Sequence, residues 1–147
     1  TKVTNVVNAL KHLLADFQVH YTNLRSMHWN IKGHGFFTLH EKFETMYNDT
    51  AEKIDELAER ILMLGCVPEY LKVACVKEVD DITNGHEAVH KVLDTYKLII
   101  EEERKLIELA NDANDVVTAD MLTGYLKEQE KLVWMLVAFC TNHCDKK

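Results

Sequence analysis

The sequence predicts an all-α protein, a four-helix bundle with one long crossover between the second and third helices. Residues that break helices are scarce, because the 147 residues include one proline and five glycines. Hydrophobic residues make up 47% of the chain and recur at helical spacing in four long segments, which is enough for one sizeable core. We therefore expect residues 1–147 to form a single domain.

The first two predicted helices are separated by the glycine-rich sequence 33–35, where glycine permits the backbone to turn. The second helix is predicted from about residue 36 to residue 64, because Gly65 ends it and Pro68 prevents its continuation. The core stripe of the first helix consists of Val3, Val6, Val7, Leu10, Leu13, Leu14, Phe17, Tyr21, Leu24, His28 and Ile31. That of the second consists of Phe36, Leu39, Phe43, Tyr47, Ile54, Leu57 and Ile61.

The third helix is predicted from about residue 84 to residue 110, and Asn84 with Glu87 resembles a capped start. A tight polar turn at 111–115 separates it from the fourth helix. The core stripe of the third helix consists of Val89, Val92, Leu93, Tyr96, Ile99, Ile100, Leu106 and Ile107. That of the fourth consists of Val117, Met121, Tyr125, Leu132, Met135, Leu136 and Phe139.

The connections between these helices predict the topology. The first and last are short, so the helices that they join should be antiparallel. The segment 66–82 is irregular, apart from one short helical turn that could form at 69–74, and it is long enough to cross the bundle. One such crossover is typical of ferritin-like four-helix bundles.

Charge and cysteine content limit the classes of function. A net charge of −7 argues against a nucleic-acid-binding surface and suits a protein that handles cations. The sequence contains no signal-peptide pattern and no long apolar run, so we expect a cytoplasmic protein without membrane association. The four cysteines, Cys66, Cys75, Cys140 and Cys144, form no CxxC motif and should be free thiols in a reducing compartment.

Five residues of metal-ligand type are spaced so that one chain cannot gather them. His40 and Glu44 lie four residues apart on the second predicted helix, and so do Asp55 and Glu59. The pairs are separated by 15 residues, or roughly 22 Å of helix, whereas ligands lie only about 2 Å from their metal. An antiparallel second copy would bring His40 near the partner's carboxylates. With His28 on the first helix, the spacing predicts metal sites in a two-fold dimer interface.

The same flank of the second helix carries Phe37, Ala51 and Leu62, and this second apolar stripe favours an interface over a plain solvent face. The alternative is that these charged residues are ordinary surface neighbours on an acidic helix, and that His28 is a satisfied core histidine. Imidazole and carboxylate donors suit iron, zinc or manganese, and open positions suit redox iron.

A di-iron site inside the bundle is not expected. Such a site needs inward glutamates on two helices and a Glu-x-x-His on each of the other two. Residues 1–32 contain no glutamate, and Glu87-x-x-His90 stands alone, so we interpret it as chance.

Three further groups contain ligand-type residues. They are the pair His86 and His90, the cluster Cys140, His143 and Cys144, and the aspartates Asp112, Asp115 and Asp120. The first two could bind a soft metal, but each lacks further ligands at suitable spacing, and we interpret both as incidental. The aspartates should cap a helix and complement its dipole, or ring a cation pore in a symmetric assembly.

At these positions the sequence resembles the Dps family of ferritin-like mini-ferritins over essentially its whole length. The match consists of the runs His28-Trp29-Asn30-Ile31-Lys32-Gly33, Phe36-Phe37, Leu39-His40, Phe43-Glu44, Tyr47 and Asp55-Glu56-Leu57-Ala58-Glu59-Arg60. The resemblance implies a hollow dodecamer with ferroxidase sites at two-fold interfaces. It also implies oxidation of Fe(II), usually by hydrogen peroxide, and storage of Fe(III) as a mineral.

The resemblance also implies a role for each residue. His28 and His40 would be ligands from one subunit, and Asp55 and Glu59 ligands from its partner. Glu44 stands where aspartate is common in the family and would be a second-metal or water-mediated ligand. Trp29 would be an oxidisable aromatic next to the site. A further expectation is that Glu41 and Glu44 nucleate mineral on the cavity side.

The sequence departs from the family pattern in two places. The connection 66–74 is shorter than usual, and the chain has only Lys2 at its start and Asp145-Lys146-Lys147 at its end. It thus lacks the lysine-rich tail with which family members often bind DNA, and we expect no DNA binding.

Two competing functions remain open. They are a DNA-compacting stress protein with little ferroxidase activity and a non-catalytic helical interaction module.

Overall fold

The computed structural model describes residues 1–69 and 74–144, and side chains up to residue 141. It contains the four helices α1 (Lys2–Asn30), α2 (Phe36–Met63), α3 (Gly85–Asp112) and α4 (Val116–Cys144). The all-α fold class is therefore confirmed, and the helix bounds agree with those predicted to within a few residues. Most of the helical turn predicted at 69–74, and the C-terminal 145–147, lie outside the described residues.

Contacts near the helix ends define the topology. Arg60, near the end of α2, forms a 2.7 Å ion pair with Asp115, which directly precedes α4. The end of α3 also adjoins the start of α4, through the turn 113–115, so α2 and α3 end at the same end of the bundle. These two helices are parallel, and the crossover between them must travel the length of a 28-residue helix, or about 42 Å.

The first helix ends earlier than predicted. Ile31 already has extended backbone, with φ −61° and ψ 148°, although its N–H still bonds to the carbonyl of Met27. Lys32 then donates a 2.8 Å backbone hydrogen bond to Thr83, in an isolated bridge beside the start of α3. The turn into α2 follows at Gly33 and Gly35, whose φ values of +82° and +79° favour glycine.

The interior has two apolar clusters with buried polar groups between them. One includes Leu10, Phe17 and Leu122, and the other includes Leu24 and Phe43. The polar groups are His20, Thr50, Lys53, Glu103 and Gln129, each at most 4% exposed. Within this layer, Gln129 donates a hydrogen bond to Glu103 and Thr50 donates one to the backbone carbonyl of Met46, so hydrogen bonds as well as packing hold it together.

Four residues predicted in the core are exposed in the single chain. Val3, Val117, Met135 and Phe139 are 47%, 56%, 37% and 40% exposed. Val3 and Val117 lie in the first turns of their helices. Met135 and Phe139 line an open groove of about 370 Å³ between α4 and α2. The helical period correctly selected an apolar face, but it does not show how much of that face a single bundle covers.

Polar residues of α1 anchor the crossover. Asp16 Oδ1 accepts hydrogen bonds from the backbone N–H groups of Cys75 and Val76, at 2.6 and 2.8 Å. Seven residues later, on the same face, Asn23 bonds to the backbone of Lys77 and Val79. Within the described residues, no helix has both the length and the hydropathy required to cross a bilayer.

Candidate functional site

The imidazoles of His28 and His40 form a reciprocal pair between α1 and α2. Their ring centroids are 3.7 Å apart, and the ring planes differ by 13°. Nδ1 of His28 lies 2.6 Å from the carbonyl oxygen of His40, and Nδ1 of His40 lies 2.7 Å from that of His28. The turn at the glycines makes this possible by returning α2 along α1.

These two hydrogen bonds determine the tautomer of both rings. A carbonyl oxygen can only accept, so Nδ1 of each ring must carry the proton. In the neutral imidazole, Nε2 then holds the lone pair. A backbone partner on one ring nitrogen is the arrangement that orients histidine as a metal ligand through the other. The pair therefore presents two fixed nitrogen donors.

Aromatic side chains hold the two rings in place. Tyr47 packs edge-on against His28 at 5.4 Å, and Phe36 stacks on His40 at 4.9 Å. His28 is 7% exposed, whereas His40 is half-buried, so the pair borders the surface. Next to it, Trp29 is 61% exposed, and the Arg25 guanidinium lies 4.9 Å from its ring centroid.

The predicted carboxylate ligands lie elsewhere on the same chain. Glu44, Asp55 and Glu59 are all exposed, and α2 is continuous through them. Glu44 is one turn beyond His40, but Asp55 is 15 residues along a straight helix, or roughly 22 Å away. A single chain therefore brings His28 and His40 together and does not bring Asp55 or Glu59 to them.

Asp115 has the capping role expected of it. Its Oδ1 accepts from the backbone N–H of Thr118 at 3.0 Å and from Arg60 at 2.7 Å. Burial alone would raise its pKa, but the hydrogen bonds from Thr118 and the charge of Arg60 outweigh burial and lower it. Asp115 thus remains ionised and connects the start of α4 to α2. Asp112 and Asp120 are exposed beside this end of the bundle.

One group of ligand-type residues was missed because its members are distant in sequence. Ligand atoms of Asp16, Cys75 and Glu102 lie within 4.8 Å of one another. The pKa of Glu102 is raised to about 9, and burial is the largest cause. A hydrogen bond to Asp16 and the negative charge of Asp16 are the next causes. The charge of Asp16 is also the largest cause of the raised pKa of the Cys75 thiol. At neutral pH Glu102 therefore keeps its proton, which reduces the repulsion between the two carboxyl groups.

The structure corrects the separation of His86 and His90 from Cys140. The structure brings them into one group, with ligand atoms within 4.8 Å of one another. The sequence places them in two separate groups, because His90 and Cys140 are 50 residues apart. The side chains of His143 and Cys144, predicted to cluster with Cys140, lie outside the described residues.

Comparisons with known proteins agree with this architecture. A family model described as a ferritin-like domain matches residues 7–143. The DNA protection during starvation protein of Porphyromonas gingivalis is 52% identical, and the alignment covers 95% of this chain and 91% of the relative. The chain belongs to the Dps family. Its structure superimposes on the DPS protein of Vibrio cholerae with a TM-score of 0.92 and 43% identity, covering 95% of this chain and 91% of that one. A Dps protein from Bacillus brevis gives a TM-score of 0.91 at 36% identity, covering 94% and 96% of the two chains.

The Vibrio cholerae protein is described as a member of a broad superfamily of ferritin-like diiron-carboxylate proteins.

In this Dps-family chain, the Glu-x-x-His sequence of α3 does not contribute to a site in the bundle interior. Glu87 is exposed in the first turn of α3, where its N–H bonds to Asn84, and His90 is exposed and contacts His86. The interpretation of this motif as chance agrees with its position.

Proposed function

We propose that this Dps-family protein oxidises Fe(II) with hydrogen peroxide and stores Fe(III) as a mineral inside a hollow homododecamer. The observation that carries the proposal is the reciprocal His28–His40 pair, which fixes two imidazole Nε2 donors at the border of the surface. Asp55 and Glu59 are exposed on the same helix but out of reach within the chain. The half-sites complete one another only across a two-fold axis.

The exposed apolar residues of α2 support such an interface. If His40 of one copy faces the partner's carboxylates at 55–59, the two helices cross antiparallel near residue 48. Phe37, which is 85% exposed, would then lie within about one turn of the partner's Leu62, which is 54% exposed in the single chain. A patch of this kind is costly to leave in water and is typical of an interaction surface.

The chemistry assigned to the site is pairwise oxidation. Two Fe(II) ions and one H₂O₂ take up two protons and give two Fe(III) ions and two water molecules. The imidazoles of His28 and His40 bind as neutral donors, and the partner's Asp55 and Glu59 supply negative charge that favours the ferric product. Because the peroxide accepts one electron from each of two Fe(II) ions in one encounter, its O–O bond breaks to give water and no hydroxyl radical leaves the site. Hydrolysis of Fe(III) then yields mineral and protons.

Three residues around the half-site have supporting roles in this proposal. Glu44, exposed one turn beyond His40, binds a second iron directly or through water. Trp29 directly follows His28 in the sequence and is exposed. It can therefore lose an electron to an oxidant that escapes the site, before that oxidant reaches other molecules. Glu41, which is also exposed, joins Glu44 in nucleating mineral.

An anaerobic Fe(II) titration followed by addition of peroxide tests the proposed function. We expect about two Fe(II) oxidised per peroxide, because peroxide accepts two electrons. Absorbance should report a mineral that stays in solution, and spin trapping should detect little hydroxyl radical. His28→Ala and His40→Ala should each abolish rapid oxidation, whereas His12→Ala, an exposed position on α1, should leave it unchanged. Rapid oxidation in both site variants would overturn the proposal.

A further inference from the structure

We propose that His86, His90 and Cys140 form a second metal site, specific for Zn²⁺-like ions and separate from the iron site. The three ligand atoms lie within 4.8 Å of one another, at the junction between the start of α3 and the end of α4. Two imidazoles and one thiol make a donor set that carboxylate-rich iron sites do not have.

The distances suit a tetrahedral ion. Zn–N bonds of about 2.0–2.1 Å place two nitrogen ligands roughly 3.3 Å apart. Nε2 of His86 and Nε2 of His90 are 3.0 Å apart, so they need to move by only a few tenths of an ångström. One of these nitrogens now donates a proton to the other. A bound ion would take the place of that shared proton and accept both lone pairs.

The fold positions each ligand independently of any metal. His86 and His90 are four residues apart and therefore lie on one face of α3. Asn84 fixes the first turn of that helix by accepting a 3.0 Å hydrogen bond from the N–H of Glu87. Cys140 approaches from α4, is 5% exposed and belongs to an apolar cluster of the core. Because α3 and α4 are antiparallel, the first turns of one meet the last turns of the other.

The donor set selects the kind of ion. Thiolate and imidazole ligands favour Zn²⁺ and other borderline or soft ions over the hard cations that bind carboxylates. Binding releases the thiol proton of Cys140 to water. The proton that lies between the two Nε2 atoms moves to Nδ1 of its own ring, so both imidazoles bind as neutral ligands, and no electron is transferred. His90 is exposed, so the fourth position of a tetrahedral ion can be filled by solvent. An ion held here joins the last turns of α4 to the start of α3.

Cobalt substitution provides a direct test. Co²⁺ bound by a thiolate gives a charge-transfer absorption in the near ultraviolet, which a site of imidazoles and carboxylates does not give. We expect this band to saturate at about one Co²⁺ per chain in metal-free protein with reduced thiols, and Zn²⁺ to displace it. The band should disappear in Cys140→Ser. In His90→Gln, the apparent affinity for Co²⁺ should fall at least tenfold.

Two controls separate this site from the others. Cys75→Ser removes a different thiol, and the double variant His28→Ala/His40→Ala removes the imidazoles of the proposed iron site. Both should keep the full band. If the proposed function is wrong, iron oxidation is absent but the cobalt band remains, so the two proposals fail in distinguishable ways.

Zinc should also stabilise the assembled protein. We expect Zn²⁺ to raise the thermal midpoint of His28→Ala/His40→Ala, which lacks the imidazoles of the proposed iron site. Addition of His90→Gln to that variant should leave its midpoint nearly unchanged by Zn²⁺, because only bound ligand stabilises. His90 is exposed, so this variant should fold even if Cys140→Ser does not. Absence of the cobalt band in the reduced unmodified protein, or an undiminished band in His90→Gln, would overturn the inference.

Discussion

Gln129 donates a 2.9 Å hydrogen bond from Nε2 to Oε2 of Glu103, and both side chains are buried between α3 and α4. Burial raises the pKa of Glu103 from its ordinary value of 4.5 to about 8, although the Gln129 hydrogen bond and the charge of Lys53 act in the opposite direction. At neutral pH, Glu103 is therefore mostly protonated, and the bundle interior has one negative charge fewer than its composition suggests.

This shift predicts that stability falls as pH rises. Between pH 4.5 and about 8, the folded protein keeps a proton on Glu103 that the unfolded chain has lost. The stabilisation is fully present below pH 4.5 and decreases through the folded pKa, by up to about 1.4 kcal/mol per pH unit. Glu103→Gln should remove this part of the slope.

Chemical denaturation at fixed protein concentration, from pH 5 to 8.5, measures the effect. The slope of Glu103→Gln should be shallower than that of the unmodified protein but not zero, because the pKa of Glu102 is also raised. Glu101→Gln, on the exposed face of the same helix, is the matched control and should keep the original slope. Equal slopes in the two variants would show that Glu103 titrates normally.

The assembly can be tested by mass. We expect light scattering to give a closed oligomer of about twelve subunits at micromolar protein, because the two-fold interface must cover Phe37 and Leu62. Phe37→Glu should shift the population towards smaller species, since it places a charge in that interface. Val67→Glu alters another exposed apolar residue, beyond the end of α2, and should not. A monomer mass for the unmodified protein would contradict the proposed cage.

Hydrophobic periodicity was sufficient to predict the four helices, and the spacing of His40 and Asp55 along α2 follows directly from helix geometry. The proximity of His28 and His40 was expected from the family resemblance and is present in the structure. Their reciprocal bonds to backbone carbonyls could not be predicted, because carbonyl positions depend on how the turn at Gly33 and Gly35 returns the chain.

The buried polar residues were harder to predict. Asp16 and Asn23 lie on the buried face of α1, where a periodicity analysis expects apolar residues. They bind the crossover backbone, whose conformation has no periodic signal of its own. Cys140 lies near His86 and His90 because α3 and α4 pack antiparallel. The spacing of residues within one helix cannot predict a contact between two helices.

Weak DNA binding is a third prediction. Twelve copies of a chain with a formal net charge of −7 carry a formal charge of −84 in total, and the protonation of buried glutamates leaves most of it, so phosphate repulsion should dominate near neutral pH. A gel shift with duplex DNA, at low salt and without metal, should show little or no complex. Tight binding that weakens as salt is added would favour the alternative function, DNA compaction.

The last prediction tests whether the iron site is shared between subunits. One variant carries His28→Ala and His40→Ala, and a second carries Asp55→Ala and Glu59→Ala. Each homo-oligomer should lose rapid iron oxidation, because every site lacks half of its ligands. In a mixed dimer, one site combines the intact histidines of one chain with the intact carboxylates of the other, while its symmetry mate has lost all four.

Co-assembly of the two variants should therefore restore activity, up to about half of the original in pure heterodimers. Sites contained within one chain would show no recovery, since each chain is defective by itself. We expect recovery because α2 is continuous from Phe36 to Met63, and its rise of about 1.5 Å per residue separates His40 from Asp55 by roughly 22 Å. Mixing must be verified by mass spectrometry of the intact oligomer. If well-mixed oligomers of normal size remain inactive, the intersubunit site is wrong, and iron must bind elsewhere.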